Sequence, residues 1–386
     1  MPRLARPKRS VLGVHFIGLG VVLTTVHFNT AGTLWAVGGL LGLTFILAGL
    51  MFAPKPDFKS FFSSEKLPAV IPVGVILVSA FLGIFTHGQA STDSFYLAYL
   101  VLAVVVLLYG TIVSRWTLLW ILPMALLSIP AMVVGGIFAP VVGGYGLTGN
   151  SGLAGTLCGL AFVVGLLFLK GKMRWFLLVP MLGVFFAGDH WTWIGLAVVA
   201  IAMVVSRDFH FSRLWAASAV GLVVVAALVG LKLGYTEPLY GFGQSSNLDN
   251  PESTYSTLGY RLPMVEKVFA NTSLLGHGAQ LDTTNEGLNR YGGLVHNVPM
   301  MIWDDLGPLA ALAWLFLMVR AVVRSQEYRY ILVFVLVTSM FSYWFWWPLG
   351  LGMFSMLLLG LAEGPVTETI VKRNLLRMVE RMRSEA

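Results

Sequence analysis

Residues 69–87 read AVIPVGVILVSAFLGIFTH, a nineteen-residue stretch without a carboxylate, lysine or arginine. As an α-helix it spans about 28 Å, since each residue rises about 1.5 Å, and a hydrocarbon core is ~30 Å thick. Comparable runs recur along a chain that is 57% apolar and 11% charged. Unbroken apolar blocks such as 103–108 and 222–229 lack the alternating polarity of transmembrane β-strands. The sequence therefore predicts an all-α fold, a polytopic bundle of transmembrane helices.

Twelve hydrophobic segments are predicted to be membrane helices. They are 11–28, 33–53, 69–87, 95–113, 117–135, 153–169, 175–187, 191–206, 214–234, 308–323, 330–347 and 351–366. No small-residue cleavage site follows the first run, so we expect it to be retained as a helix. We expect one integral membrane domain over 1–386, with 367–386 as a basic cytoplasmic tail that is either a short amphipathic helix or a solvated end.

The distribution of charge predicts orientation. Twelve crossings place both termini on one side, and all but four of the 25 lysines and arginines also fall on that side. Cationic loops remain in the cytoplasm, so the termini are predicted to be cytoplasmic and residues 235–298, the polar segment, to be periplasmic. Because the basic residues follow topology, the net charge of +7 does not indicate nucleic-acid binding.

The polar segment concentrates the residues able to do chemistry. It includes GYRLPMVEKVFANTSLLGHGAQ (259–280) and runs into RYGGLVHNVPMMIWDDLGPLAAL (290–312). Arg261 and Arg290 are the only arginines predicted on that side of the membrane. Arginine holds phosphate through two parallel hydrogen bonds and stays charged, which favours an anionic substrate at this place.

Three other segments are predicted at the same face. The first is the glycine-rich turn GLTGNSG (146–152) with Asn150, and the second is AGDHWTW (187–193) with Asp189 and His190. The third, SYWFWWPLG (342–350), is most simply an interfacial aromatic belt. Cys158 is the only cysteine, so the chain has no intramolecular disulfide and no multi-cysteine metal site.

The order and spacing of these segments resemble the O-antigen ligase and O-antigen polymerase family of integral membrane glycosyltransferases, over roughly residues 140–350. GLTGNSG is similar to the family's glycine-rich turn with Asn, and AGDHWTW to its TGSRG-like turn. GYRLPMVEKVFANTSLLGHG resembles the arginine-containing helix and PLLGxG-like turn, and VHN followed by DDLG resembles its HN and acidic-Leu-Gly helix start. His190 stands where the family usually has Arg, and it is only partly protonated near neutral pH.

The resemblance implies a glycan transfer on the periplasmic face of a bacterial inner membrane, in lipopolysaccharide or other surface polysaccharide assembly. The donor would be a polyprenyl (undecaprenyl) diphosphate-linked glycan. The acceptor hydroxyl would belong to a lipid A core sugar in a ligase or to a second carrier-linked glycan in a polymerase. Membrane lipids are expected partners, with no nucleic acid, no cofactor and no metal. Asp304 and Asp305 are a poor chelate because adjacent helical residues point about 100° apart.

The residue types of the polar segment fit this chemistry. Arg261 and Arg290 would neutralise charge that develops on the leaving diphosphate, and His296 would take the proton of the attacking hydroxyl. These three are the predicted catalytic residues. The predicted substrate-binding residues are His190, Asp189, Asn150, Asn297, Asp305 and His277.

Structural roles for the same residues stay open. Arg261 could pair with Glu266, Arg290 could extend to the interface, His277 could be only a turn residue, and Asp189 and Asn150 could cap helices. Three other classes of protein remain alternatives. A shape- or division-type cell-wall glycan polymerase would use an outer-loop carboxylate, a lipid-linked glycan transporter would show charged residues at mid-bilayer, and a scaffold would leave the clustered Arg261, Arg290 and His296 unexplained.

Overall fold

The computed structural model describes residues 9–25, 35–56, 66–87, 90–112, 115–127, 151–187, 190–206, 265–278, 297–342, 345–346 and 351–364. In these residues the chain is helical and contains no β-strand, which confirms the all-α prediction for this part of the protein.

The bounds of eleven α-helices are as follows. They are α1 (Arg9–Leu23), α2 (Trp35–Phe52), α3 (Leu67–Thr86), α4 (Ala90–Gly110), α5 (Ser151–Phe168), α6 (Leu178–Ala187), α7 (His190–Ser206), α8 (Val298–Leu306), α9 (Pro308–Arg324), α10 (Arg329–Ser339) and α11 (Gly352–Glu363). Two 3₁₀ helices, Arg115–Trp120 and Gly171–Leu177, precede further helical residues. Residues 265–270 form a short helical segment before the LLGHG turn, 274–278.

The helices form one connected bundle. α11 is buried along its whole length and packs against α4, α9 and α1. α9 also contacts α3, α8 and α10, and α10 in turn contacts α5 and α7. The short helix α8 contacts α9 and α3. A helix that is apolar around its whole circumference belongs in the interior, and α11, with GMFSMLLLGLA before its terminal Glu363, follows that rule.

Helices α4 and α11 cross with almost no side chain between them. A Cβ atom added to Gly110 would lie 2.8 Å from the Cα of Gly360, and one added to Gly360 would lie 2.9 Å from the carbonyl carbon of Leu107. Such a close crossing needs hydrogen in place of a side chain on both helices, as in the small-residue interfaces of membrane helices.

The bundle has two chemically different ends. α9 starts beside Asp305, and at its other terminus Arg320 and Arg324 approach Glu363 of α11. The Arg320 Nε donates to Glu363 Oε1 over 2.9 Å, while Arg324 Nη1 lies 3.7 Å from Oε2. The seventeen residues of α9 separate the two ends by about 25 Å. They are called below the Asp305 end and the Glu363 end.

Several predicted helices have different bounds in the structure. The predicted span 330–347 is helical as far as Ser339, and its other described residues, 340–342 and 345–346, are not helical. At the helix end Met340 N donates to Val337 O and Phe341 N to Thr338 O. These i to i−3 bonds use up the last carbonyls and end the helix. The predicted span 175–187 begins within a 3₁₀ helix. The span 214–234 and the second half of 117–135 lie outside the described residues.

Two helical segments, Leu67–Thr86 and Asp93–Gly110, are long and apolar enough to cross a membrane, judged by length and composition alone. Seven shorter apolar helices of 10–17 residues accompany them among the described residues.

Large apolar side chains lie on the surface in rows. On α9 the exposed residues recur every three or four positions: Leu309, Leu312, Phe316, Val319 and Val323. On the adjacent α3 the corresponding row is Leu67, Ile71, Val78, Phe81, Leu82 and Phe85. The spacing places each row along one helix face, so α3 and α9 each present an apolar stripe over their full length.

Candidate functional site

Asn297 starts α8 and joins it to α10. Its Oδ1 accepts a hydrogen bond of 2.9 Å from the backbone N of Met300, the expected bond of a helix N-cap. Its Nδ2 donates to the backbone carbonyl oxygen of Met340, also over 2.9 Å. The side-chain amide of Asn297 is therefore bonded through both its oxygen and its nitrogen, and it joins the start of α8 to the end of α10. A contact of Asn297 with substrate stays a prediction. The preceding His296 lies outside the described residues.

The start of α7 reaches the same point of α10. The indole of Trp191 stacks on the ring of Phe341, with centroids 4.5 Å apart and 10° between planes. Because Phe341 follows Met340, two segments of the resemblance, AGDHWTW and VHN, contact neighbouring residues. His190 is the first residue of α7, and Asp189 lies outside the described residues.

The N-terminal halves of α5 and α7 meet through small residues. Thr156 and Thr192 are buried, with their hydroxyl oxygens 3.5 Å apart. The ring of Phe334 from α10 lies against both helices, at Gly159 and at Gly195. The N-terminus of α5, which directly follows Asn150 in sequence, is thereby fixed near the N-terminus of α7; Asn150 itself is outside the described residues.

At the other end of α8, the LLGHG turn is bound to the DDLG sequence. His277 N donates to the carbonyl oxygen of Asp304 over 2.7 Å, and Gly278 N donates to that of Asp305 over 3.1 Å. The backbones approach so closely that a Cβ on Gly276 would lie 2.5 Å from the backbone N of Leu306. Gly276 and Gly307 have φ of 75° and 92°, a left-handed conformation that glycine adopts without strain.

His277 and Asp304 form an imidazole–carboxylate pair. The Nδ1 of His277 is 3.0 Å from Asp304 Oδ1; the imidazole is 29% exposed and the carboxylate 2%. The predicted turn role of His277 therefore coexists with a side chain that can reach the surface of the site.

Asp305 points into the bundle. Its side chain is buried and accepts a 3.4 Å hydrogen bond at Oδ2 from the hydroxyl of Tyr96 on α4. That hydroxyl in turn accepts a hydrogen bond from the indole Nε1 of the buried Trp346. The chain of three groups connects α8 to α4 and to the aromatic segment 342–350, which the sequence had suggested only as an interfacial belt. A direct contact of Asp305 with substrate stays a prediction.

His87 and Asp93 are site residues that the sequence did not single out for chemistry. His87 ends α3 and Asp93 lies in the first turn of α4, and the two side chains are 3.1 Å apart. The other ring nitrogen of His87 lies 3.1 Å from the carbonyl oxygen of Leu275 in the LLGHG turn. In the sequence, these residues belong to the polar stretch THGQASTD (86–93) between two apolar runs, a pattern that is equally typical of an ordinary loop between two helices.

The segment after Arg261 also packs on α8. Phe269 and Trp303 are in edge-to-face contact, with centroids 5.0 Å apart, and Trp303 Nε1 donates to the hydroxyl of Thr272 over 3.2 Å. Helix α8 is therefore the element on which the described parts of the polar segment assemble.

Of the nine predicted site residues, Asn297, Asp305 and His277 are gathered on α8 and the turn that contacts it. Arg261, Arg290, His296, Asp189 and Asn150 lie outside the described residues, and for His190 only the helix that it starts is described. In the described part of the chain no three His, Cys, Asp or Glu side chains are placed to hold a metal ion together.

No protein-family model matches this chain, and none of the curated proteins matches it in sequence.

Proposed function

We propose that the chain is an integral membrane protein of about twelve transmembrane helices. Its support is the pair of apolar stripes on α3 and α9, which expose Phe85, Val323 and their neighbours along both helices. Water-soluble monomers rarely expose contiguous apolar surface beyond a few hundred Å². Among the described residues the buried charged side chains are Asp93, Asp304, Asp305 and Glu363, all within the first or last turns of helices. A transporter would more naturally hold such groups at mid-bilayer.

The two ends of the bundle support the predicted orientation. Arg320 and Arg324 lie at the Glu363 end, whereas the ionisable contacts at the Asp305 end are made by carboxylates and imidazoles. By the positive-inside rule the Glu363 end faces the cytoplasm, together with both termini. The Asp305 end then faces the periplasm of a bacterial inner membrane.

We infer that the Asp305 end transfers a glycan from a polyprenyl diphosphate carrier to an acceptor hydroxyl, as an O-antigen ligase or polymerase does. The observation that carries this proposal is the meeting of Trp191 and Asn297 at Phe341 and Met340. Two segments about a hundred residues apart in sequence, each selected by the resemblance, share one place in the fold. The LLGHG and DDLG sequences, also selected by the resemblance, meet at the other end of the same short helix.

The reaction is an inverting displacement. The acceptor oxygen attacks the anomeric carbon, the bond from that carbon to the diphosphate oxygen breaks, and polyprenyl diphosphate leaves with the electron pair. Arg261 and Arg290 neutralise the charge that gathers on the diphosphate. His296 takes the hydroxyl proton, and it directly precedes Asn297, which is bonded to both α8 and α10.

Purified protein tests the proposal directly. A polyprenyl-diphosphate-linked oligosaccharide is supplied in EDTA, with a lipid A core acceptor in one reaction and a second carrier-linked glycan in another. Product on one acceptor that is absent with His296→Ala supports the enzyme and distinguishes ligase from polymerase. Donor that crosses vesicles without forming product would instead indicate a transporter. Product formed only from the cell-wall precursor would indicate the shape- or division-type polymerase.

A further inference from the structure

Both ring nitrogens of His87 face hydrogen-bond acceptors. Nδ1 is 3.1 Å from Asp93 Oδ2 and Nε2 is 3.1 Å from the carbonyl oxygen of Leu275, in a side chain that is 5% exposed. A carbonyl oxygen carries no proton, so Nε2 must be the donor. An ionised carboxylate likewise only accepts, so Nδ1 donates as well. An imidazole that donates from both nitrogens is an imidazolium.

The positions of the two residues in their helices suit opposite charges. His87 is the C-cap of α3, with its backbone N bonded to Gly83 O, and Asp93 is in the first turn of α4. A cation at a helix C-terminus and an anion at a helix N-terminus are each stabilised by the helix dipole. The other titratable groups of this region are His277 on the turn and Asp304 and Asp305 on α8.

The LLGHG turn fits closely over this ion pair. Gly278 has φ of 93°, and a Cβ atom there would lie 2.9 Å from His87 Nδ1 and 3.0 Å from Asp93 Oδ1. The glycine therefore permits the turn to approach the pair. The same turn is bonded on its other side to the carbonyl oxygens of Asp304 and Asp305.

We propose that His87 is a positioning residue: as an imidazolium held by Asp93, it binds the Leu275 carbonyl and fixes the LLGHG turn between the α3–α4 connection and α8. Arg261 lies fourteen residues before Leu275, and Arg290 lies twelve residues after Gly278. The turn therefore lies between the two predicted catalytic arginines in sequence. The effect of His87 on turnover rests on the proposed function, whereas its effect on the LLGHG turn does not.

Hydrogen exchange measures the turn without reference to activity. In full-length protein in lipid nanodiscs, the amides of His277 and Gly278 are expected to be protected, because both donate to α8. His87→Gln keeps a donor but loses the charge, and Asp93→Asn leaves the ring without its anion. Each variant should exchange at least about tenfold faster at 274–278, and the double variant should not add to the larger single effect.

A matched control is His15→Gln. The Nδ1 of His15 accepts from Trp120 Nε1 over 3.3 Å, in another part of the bundle, so its loss should leave exchange at 274–278 unchanged.

The kinetic expectation separates positioning from general stability. His87→Gln should lower kcat about tenfold with a donor KM within about threefold of wild type, because the turn lies between Arg261 and Arg290 in sequence and these arginines are proposed to act on the developing charge. Nitrogen NMR of histidine-labelled wild-type protein, assigned with His87→Gln, should show both His87 nitrogens protonated at pH 6.

Two results would overturn the proposal: a singly protonated His87 ring at pH 6, or wild-type protection of the turn in both variants. Lost protection with unchanged kcat would overturn the link to turnover alone. Absence of glycan transfer by the wild type would refute the proposed function, and the exchange and NMR results would still decide whether His87 holds the turn.

Discussion

Asn297 donates a hydrogen bond of 2.9 Å from its side-chain Nδ2 to the backbone carbonyl oxygen of Met340. The bond uses a carbonyl left without a helical partner just after α10 ends, and so it joins the end of one helix to the start of another. The residue before Asn297 in sequence is His296, the predicted base.

His296→Ala should fold and insert normally yet lose on the order of 10²- to 10⁴-fold in turnover, the usual cost of a missing general base. Single-turnover transfer from a labelled donor measures the loss. His15→Ala, which removes an imidazole that pairs with Trp120 instead, is the matched control and should keep wild-type turnover. Full activity in His296→Ala would refute the mechanism.

Arg261→Lys is expected to lose most of its activity although the charge remains, because lysine cannot donate two parallel hydrogen bonds to the diphosphate. Donor titrations of kcat and KM give the measurement. Lys267→Arg is the control: it makes the opposite exchange at an exposed position six residues further on, and its kcat and KM should equal those of wild type. Wild-type rates in Arg261→Lys would show that Arg261 has a structural role and does not bind the diphosphate.

Asn297→Ala should lower the free energy of unfolding by about 1–2 kcal/mol, since the N-cap bond to Met300 and the bond to Met340 are both lost. Asn297→Asp keeps the cap acceptor but not the donor, so its loss should be smaller. Thermal unfolding in detergent compares them with Asn271→Ala, whose exposed side chain bonds only to Lys267 O. Equal stability of Asn297→Ala and Asn271→Ala would contradict a role of Asn297 in joining α8 to the end of α10.

Gly360→Ala should destabilise the protein by about 1–3 kcal/mol, because the new methyl group meets the backbone of α4 at Leu107 and Gly110. Gly74→Ala is the control: nothing lies within 4 Å of its added Cβ, and alanine is the better helix former, so stability should rise by about 0.5–1 kcal/mol. The midpoint of thermal unfolding reports both. A neutral Gly360→Ala would mean that α4 and α11 do not cross this closely.

Tyr96→Phe should cost about 1–3 kcal/mol, since it leaves the Trp346 indole N–H and the Asp305 carboxylate without their shared partner in a buried place. Tyr109→Phe loses one bond, to Leu50 O, at a partly buried position and should cost less. Unfolding in denaturant measures both variants. A smaller loss of unfolding free energy in Tyr96→Phe than in Tyr109→Phe would show that the hydrogen-bonded chain Trp346–Tyr96–Asp305 does not stabilise the protein.

The helices and much of the site's neighbourhood could be read from local patterns. Apolar runs predicted α3, α4 and α9 to within a few residues. The shortened α10 could not be predicted, because residues 340–347 remain apolar and only hydrogen bonds at Met340 and Phe341 end the helix. His87 was missed for the same kind of reason: its partners are six and 188 residues away.

The sequence by itself determined the all-α class, the positions of most described helices and the order of the polar motifs, because apolar periodicity, caps and charge placement are properties of neighbouring residues. Only the tertiary structure decided that His87 and Asp93 lie beneath the LLGHG turn, that Asp305 faces Tyr96, and that Trp191 stacks on Phe341. These contacts join residues far apart in the chain. They depend on which helices pack together, and that choice is made by shape complementarity and the pairing of buried polar groups over the whole bundle.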